Sequence, residues 1–203
     1  ENDVKHDVCG KVVVATDEAE LPHLDKIFSN GLANDTEGIE KISGDQVREI
    51  EPNCEGIAGI RVPCTGIIDF VGATEKMAEL ALAIQPNSKV VLGEAFENML
   101  EEGEVSKFKT SKNTYYSKHF IFCGGLQSDR LAKNDGVDSE MQIVGFRGDY
   151  YELEDHAKHK VKHLIYPVPN PAFPFLGVHF TRMVDGNIEC GPNAVFTFKR
   201  EGY

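Results

Sequence analysis

The apolar stretches of this sequence are short, and this limits what the chain can fold into. Stretches such as residues 11–15 and 119–123 span only five positions each, whereas a helix that crosses a bilayer needs about 20 apolar residues. The sequence therefore predicts no transmembrane helix. With 203 residues and 41% hydrophobic content, it can form one large domain or two small ones.

The charge balance is strongly acidic. The chain carries 33 acidic and 21 basic side chains, a net charge of −12, and this opposes the phosphate neutralisation that nucleic-acid binding requires. Nucleic acid is therefore not expected as a partner. A site for an anionic substrate would need a local group of basic side chains and hydroxyls.

The cysteines favour a reducing compartment. There are five, scattered without a C-x-x-C pair, so neither a disulfide framework nor a zinc site is predicted, and the expected location is the cytoplasm. The first residue is Glu1 and no secretory leader follows it. We therefore expect the chain to begin inside a longer protein.

Local patterns predict an α+β fold. A strand at 9–15 leads into a helix with Thr16 as its N-cap, a second helix begins at residues 43–47, and a β segment covers 56–69. The apolar spacing of residues 73–84 predicts a third helix.

The middle of the sequence reads as a β-meander. Short β runs are predicted at 89–92, 96–100, 105–110 and 114–116, with a hairpin turn at 101–104. A further strand, 119–123, runs into Gly124, Gly125 and a helix start, an arrangement whose backbone N–H groups can face a phosphate or ribose. From Ile143 onward the pattern is β again.

Several segments spread over essentially the whole chain carry a family resemblance. They are RVPCTGIIDF (61–70), FRGDYYEL (146–153), LIYPVPNP (164–171), FPFLGVHFT (173–181) and GPNAV (191–195). In this order they resemble the L-2-hydroxyglutarate oxidase or dehydrogenase family, within the D-amino-acid oxidase superfamily of flavoproteins.

The resemblance implies a fold in two parts. Residues 1–71 and 140–203 would form a substrate domain, with a large mixed or antiparallel β-sheet and helices on one face. Residues 72–139 would be part of an FAD/NAD(P)-binding domain of the three-layer ββα type, lacking its N-terminal βαβ unit. The G-x-G-x-x-G turn of that unit is expected upstream of Glu1, so the isolated chain is expected to be inactive.

The implied activity is FAD-dependent oxidation of L-2-hydroxyglutarate, or a related small 2-hydroxy acid, to the 2-oxo acid by hydride transfer to flavin. The electron acceptor is either oxygen or a membrane quinone. Use of a quinone would imply that the full-length protein associates peripherally with a membrane. A D-amino-acid or glycine oxidase-like flavoenzyme and a glycerol-3-phosphate dehydrogenase-like one are alternatives. A non-catalytic β-rich domain that binds small acids or a protein is an alternative of a different class.

Cofactor contacts follow from the same resemblance. Phe96 and the turn Cys123-Gly124-Gly125 would lie near the adenine or ribose of FAD. Phe96 could instead belong to the core of the meander, and Gly124 and Gly125 could be ordinary turn glycines.

Substrate carboxylates require cations, and the fork of an arginine binds them bidentately. Arg147 is one candidate, and its alternative is an ion-paired strand residue that shares a face with Asp149. Tyr150 is a further candidate that would face the opposite side of a regular strand, unless Gly148 forms a bulge. Arg182 is either a second carboxylate clamp or a solvated hairpin residue.

His179 is the candidate base, because an imidazole can exchange a proton near neutral pH; its alternative is a structural strand residue. Tyr166 would line the pocket or be an ordinary half-buried aromatic. Asp69 either orients a base or caps the helix beginning near Gly72, and the cap is favoured. The histidines at 156, 159 and 163 suit a solvated helix better than a metal site, and no metal is expected.

Overall fold

The computed structural model describes residues 3–137, 140–172 and 177–202. Residues 173–176, within one of the resemblance segments, lie outside the described residues. The chain forms two compact units. The first contains the residues up to Leu80 together with Arg147–Val195, and the second contains Ala81–Phe146 and the residues after Val195. The assignment of substrate and cofactor roles to domains with boundaries at 71/72 and 139/140 stays a prediction.

The elements are given in chain order. The N-terminal segment contains β1 (His6–Asp7), β2 (Lys11–Ala15), α1 (Leu21–Ala33), β3 (Glu40–Ser43), α2 (Gly44–Ile50), β4 (Ala58–Val62), β5 (Ile67–Ile68) and α3 (Phe70–Ile84). The middle segment contains β6 (Phe96–Glu102), β7 (Val105–Thr110), β8 (Thr114–Ser117), α4 (Ser128–Asn134) and β9 (Gly145–Arg147). The C-terminal segment contains β10 (Tyr151–Glu152), β11 (Leu164–Pro167), β12 (His179–Arg182), β13 (Ile188–Gly191) and β14 (Val195–Thr197). Short 3₁₀ helices cover Glu18–Glu20, Gly125–Gln127 and Asp155–Lys160.

The first unit is built on a seven-stranded mixed sheet, in the order β10-β13-β12-β11-β2-β4-β3. Strands β2 and β11 run parallel, with Val13 opposite Tyr166, and β11 is antiparallel to β12. A separate pair, β1 with β5, is antiparallel and places Asp7 opposite Ile67. The predicted α+β class with a large mixed sheet is confirmed.

Strand β2 is buried on both faces, and this places helices on both sides of the sheet. Val13 packs in a cluster with Leu24 of α1, against which Tyr166 also packs. Val12 packs on the opposite face with Val47 of α2. Because successive side chains of a strand point to opposite faces, this arrangement differs from the expected sheet with helices on one face only.

Local capping signals set the helix starts. The helix start predicted at Ser43 is confirmed, and Ser43 caps α2 and forms a capping box with Gln46. Asp69 accepts hydrogen bonds from the backbone N–H groups of residues 71 and 72, each at 3.1 Å, and so caps α3. The prediction for Thr16 is wrong, because Asp17 caps the first helical turn while Thr16 donates to the Glu20 carboxylate.

The second unit is organised around the antiparallel meander β6-β7-β8. An aromatic cluster packs on it, with Phe108 of β7 contacting Phe96, Phe120 and Phe122 at ring-centroid distances of 4.8, 4.9 and 6.1 Å. The meander predicted from the sequence is confirmed. Strands β9 and β14 pair with each other where the chain passes between the two units.

Two predicted strands, 89–92 and 119–123, are irregular in the structure. Leu92 is 84% exposed and Ile121 is 89% exposed, whereas Phe120 and Phe122 pack in the aromatic cluster. A strand needs a hydrogen-bonding neighbour, and no other described segment pairs with either run. The strand predictions are therefore wrong for this chain, although the apolar runs themselves are real.

Candidate functional site

A cavity of about 410 Å³ lies within the first unit. It lies on the same face of the large sheet as α1, which packs against β2 on that face. Two sets of residues form its wall. The loop and strand around β5, with the start of α3, contribute Gly66, Ile67, Ile68 and Phe70. The sheet side contributes Tyr150, Leu164, Tyr166, His179, Thr181, Arg182, Met183, Val184 and Glu189.

His179 lies in the cavity wall and is only 6% exposed. Its Nδ1 atom is 2.9 Å from the carbonyl oxygen of Gly177, and since a carbonyl can only accept, Nδ1 carries the proton. In the neutral imidazole Nε2 is then an acceptor, and within the described residues it has no hydrogen-bond partner. A buried, oriented imidazole of this kind can take a proton from a bound hydroxyl.

Tyr166 is the cross-strand neighbour of His179, and the two rings stack with centroids 4.2 Å apart and 17° between their planes. From the neighbouring strand β2, the ammonium of Lys11 lies 4.6 Å from the centroid of the same ring. Burial raises the pKa of the Tyr166 phenol, although hydrogen bonding with Thr181 opposes the shift. Tyr166 is therefore a neutral hydrogen-bond donor near neutral pH.

Arg182 is the one arginine or lysine among the described lining residues. Its Nη1 atom donates to the carbonyl oxygen of Lys162 at 2.6 Å, and its Nη2 atom lies 3.4 Å from Oδ2 of Asp7. The side chain is 36% exposed, so a carboxylate entering the cavity can reach it.

Arg147 is not among the lining residues. Its Nε atom lies 2.7 Å from Oδ1 of Asp149, which is the strand-face pairing considered from the sequence. Hydrogen bonds from Asn193, which has the larger effect, and from the Arg147 guanidinium lower the pKa of Asp149 from its ordinary value. Arg147 therefore has an internal counter-ion, and its role as a substrate clamp stays a prediction.

The structure brings together four of the five predicted catalytic residues, namely His179, Tyr166, Tyr150 and Arg182. Sequence reasoning missed Thr181 and Glu189. Thr181 could have been found from its position two residues after His179 on the same strand face. Glu189 lies opposite Thr181 in the pairing of β12 with β13, and that register is not visible in the sequence.

The residues predicted to contact the cofactor lie in the second unit. Phe96 packs against Phe108 and Phe122, so it belongs to the aromatic core of the meander. Cys123 is exposed, and Gly124 precedes the 3₁₀ turn Gly125–Gln127. Gly125 has φ +51°, and a Cβ built there would meet no atom within 4 Å, so the backbone of the turn is open on that side.

An ion-paired clamp holds this turn. Arg200 binds both carboxylate oxygens of Asp129 and donates to the carbonyl of Leu126 at 2.7 Å, while the backbone N–H of Ile143 also donates to Asp129. The Arg200 hydrogen bonds hold the pKa of Asp129 well below its usual range. The clamp ties the C-terminal segment to the Gly124-Gly125 turn.

The other histidines and the cysteines are the remaining candidate metal ligands. Among the described residues, no group of three or more His, Cys, Asp or Glu side chains could hold a metal ion; His156 pairs with Glu154 and His163 pairs with Glu51. All five cysteines are free. In the described part of the chain, no helix is long and apolar enough to cross a membrane.

Known proteins resemble this chain along its whole length. An L-2-hydroxyglutarate dehydrogenase from Indibacter alkaliphilus is 42% identical over 204 residues, covering 100% of this chain and 51% of the relative. One from Escherichia coli K12 is 38% identical over 206 residues, covering 100% of this chain and 48% of the relative. The chain thus spans about half the length of the curated relatives it matches.

Solved structures share the fold at low sequence identity. The L-α-glycerophosphate oxidase of Mycoplasma pneumoniae, with FAD bound, has a TM-score of 0.80 at 22% identity, over 97% of this chain and 51% of that one. Glycine oxidase from Geobacillus kaustophilus has a TM-score of 0.75 at 15% identity, over 97% of this chain and 50% of that one. A sequence model of the FAD-dependent oxidoreductase family, DAO, matches residues 1–202. The resemblance seen in the sequence is confirmed, and the chain belongs to the DAO family of FAD-dependent oxidoreductases.

Proposed function

We propose that this chain forms the substrate side of a flavoenzyme that oxidises L-2-hydroxyglutarate, or a closely related 2-hydroxy acid, to the 2-oxo acid. One observation carries the proposal. The buried imidazole of His179 and the guanidinium of Arg182 line one cavity, in a chain about 40% identical along its length to proteins named L-2-hydroxyglutarate dehydrogenase.

Oxidation at C2 removes a hydride from carbon and a proton from the hydroxyl. When bound, FAD supplies the hydride acceptor. His179 takes the hydroxyl proton at Nε2, because the Nδ1–H bond to Gly177 fixes the tautomer and the stack on Tyr166 fixes the ring plane. The phenol of Tyr166 and the hydroxyl of Thr181 can donate to the substrate oxygens.

Arg182 supplies the charge for a substrate carboxylate. The cavity wall also contains apolar side chains, such as Ile67 and Leu164, which suit the methylene carbons of a dicarboxylate. Glu189 disfavours a carboxylate at its own side of the cavity, so one carboxylate of the substrate is expected to lie against Arg182 and the other away from Glu189. Arg147 could hold another carboxylate only by exchanging its contact with Asp149.

The residues present fit one edge of the cofactor. The backbone at Gly125 is open to an approaching ribose or phosphate, and the Asp129–Arg200 clamp holds the turn in place. The sequence contains no G-x-G-x-x-G, and the relatives are about twice as long as this chain. We propose that the remaining FAD contacts come from the rest of the full-length protein.

The test uses the full-length protein purified with FAD. Under anaerobic conditions L-2-hydroxyglutarate should bleach the absorbance of oxidised flavin, and D-2-hydroxyglutarate, glycine and glycerol 3-phosphate should not. Bleaching by glycine or glycerol 3-phosphate alone would move the protein to one of the rival flavoenzyme classes. A colourless protein that does not take up FAD would favour the non-catalytic binding domain.

The role of His179 is tested by substitution. His179→Gln should lower kcat by about 10²- to 10⁴-fold, the usual contribution of a general base, with FAD content unchanged. His156→Gln, at an exposed histidine in the same unit, is the matched control and should retain activity. A His179→Gln enzyme with normal kcat would assign the proton transfer to another group.

The electron acceptor and the location belong to the same proposal. Turnover measured with oxygen and with a soluble quinone analogue separates the two acceptors. Flotation of the full-length protein with liposomes tests peripheral membrane association, and fractionation of cells tests the expected cytoplasmic location.

A further inference from the structure

Arg182 has two partners of unequal strength. Its hydrogen bond to the Lys162 carbonyl is short, at 2.6 Å. Its contact with the Asp7 carboxylate is 3.4 Å, longer than the roughly 2.7–2.9 Å of a charge-assisted hydrogen bond. The contact with Asp7 is therefore the one that a competing carboxylate can replace.

The Lys162 carbonyl is a fixed anchor. The backbone N–H of Lys162 donates to both oxygens of Glu51, at 3.1 and 3.2 Å. Glu51 is completely buried, and it also accepts from the backbone N–H and Nδ1 of His163, each at 2.6 Å. The peptide group between Lys162 and His163 is thus held by Glu51 at its N–H, and its carbonyl oxygen holds the Arg182 guanidinium in place.

Asp7 is placed differently. It lies in the two-residue strand β1, opposite Ile67 of the cavity wall, and its side chain is 48% exposed. The carboxylate can therefore turn to water at little cost. The charges of Asp7 and Arg182 both affect the nearby Cys9 thiol. Burial raises the pKa of this thiol most, the Asp7 carboxylate raises it further, and the Arg182 guanidinium lowers it.

We propose that Asp7 competes with the substrate carboxylate for Arg182 and so limits the affinity of the cavity for 2-hydroxy acids. The inference rests on the proposed function. A bound carboxylate takes the Nη2 side of Arg182, Asp7 turns outward, and the Lys162 carbonyl retains the guanidinium. Because the ion pair is partly exposed, its removal is expected to change a binding constant by only about two- to fivefold.

The experiment uses the full-length flavoprotein. In Asp7→Asn, the KM for L-2-hydroxyglutarate and the Kd for 2-oxoglutarate, titrated by the change in flavin absorbance, should both fall by about two- to fivefold. The change in kcat should be much smaller. In an Arg182→Gln background the same substitution should have no effect, and Asp7→Glu should restore the original KM.

Asp3→Asn removes the same charge four residues earlier on an exposed segment and is the matched control. A KM that rises or stays unchanged in Asp7→Asn would overturn the inference, as would an equal fall in Asp3→Asn, which would indicate a general effect of net charge. Failure of the proposed function is seen separately, as a wild-type protein that L-2-hydroxyglutarate does not reduce. The Kd series still decides the role of Asp7 in that case, and a wild type that binds no 2-oxoglutarate would also overturn it.

Discussion

Replacing Glu51 with glutamine should loosen the start of β11, the strand that carries Tyr166. Glu51 is fully buried and accepts three hydrogen bonds, from the backbone N–H groups of Lys162 and His163 and from Nδ1 of His163, at 2.6–3.2 Å. A carboxylate presents only acceptors. A glutamine presents one acceptor and one donor, so at least one of the three donors would face an N–H group.

The size of the effect follows from those three bonds. A hydrogen bond to a charged group contributes about 1.5–3 kcal/mol and one between neutral groups about 0.5–1.5 kcal/mol, so each bond loses about 1 kcal/mol in Glu51→Gln. The expected destabilisation is about 2–4 kcal/mol. Converted at about 1.4 kcal/mol per factor of ten, this corresponds to a roughly 30- to 1,000-fold faster exchange of the protected amides.

Hydrogen–deuterium exchange of the full-length protein measures this directly. The Lys162 and His163 amides, followed in a peptide that spans them, should lose protection in Glu51→Gln. Glu55→Gln is the charge-matched control, because the Glu55 side chain is 91% exposed. Unchanged protection at Lys162 and His163 would refute the reasoning, since it would mean that the buried carboxylate does not hold these amides.

Two further predictions concern the second unit. Arg200→Met should raise the pH at which this unit unfolds in acid, followed by circular dichroism. The depressed pKa of Asp129 gives a stabilisation that is present above the ordinary carboxyl pKa and is lost only as the pH falls through the lower folded value; an unshifted midpoint would contradict this. Gly125→Ala and Gly136→Ala, both at positive φ with no atom near the added Cβ, should each cost about 1–2 kcal/mol in thermal unfolding. Only Gly125→Ala should weaken FAD retention, and equal retention in the two variants would argue against Gly125 as a cofactor contact.

The elements that the sequence predicts correctly depend on local signals. The helix start at Ser43, the cap at Asp69 and the meander of β6 to β8 each follow from neighbouring residues. The strand predictions at 89–92 and 119–123 are wrong because an apolar run indicates that a segment tends to be buried, but it does not identify a strand with which the segment pairs. Thr16 and Asp17 are both good caps, and the sequence alone does not choose between them.

The candidate site also combines features that the sequence predicts with contacts that it does not. Family resemblance points to His179, Tyr166, Tyr150 and Arg182, and the structure places these four around one cavity. For Arg147 the sequence leaves a choice between a carboxylate clamp and an ion pair with Asp149, and the structure contains that ion pair. Contacts that join distant segments, such as Lys11 over the Tyr166 ring or Asp7 beside Arg182, depend on sheet register and lie beyond local patterns.

The parallel pairing of β2 with β11 has a consequence for folding. These two neighbours at the centre of the large sheet lie on opposite sides, in the sequence, of Ala81–Phe146, the main segment of the second unit. During synthesis β2 therefore leaves the ribosome long before its partner, and contacts of such long range form slowly. The meander, whose strands are close in sequence, can form before β2 has paired with β11. The cavity is completed only after the segment that carries both Tyr166 and His179 has been made.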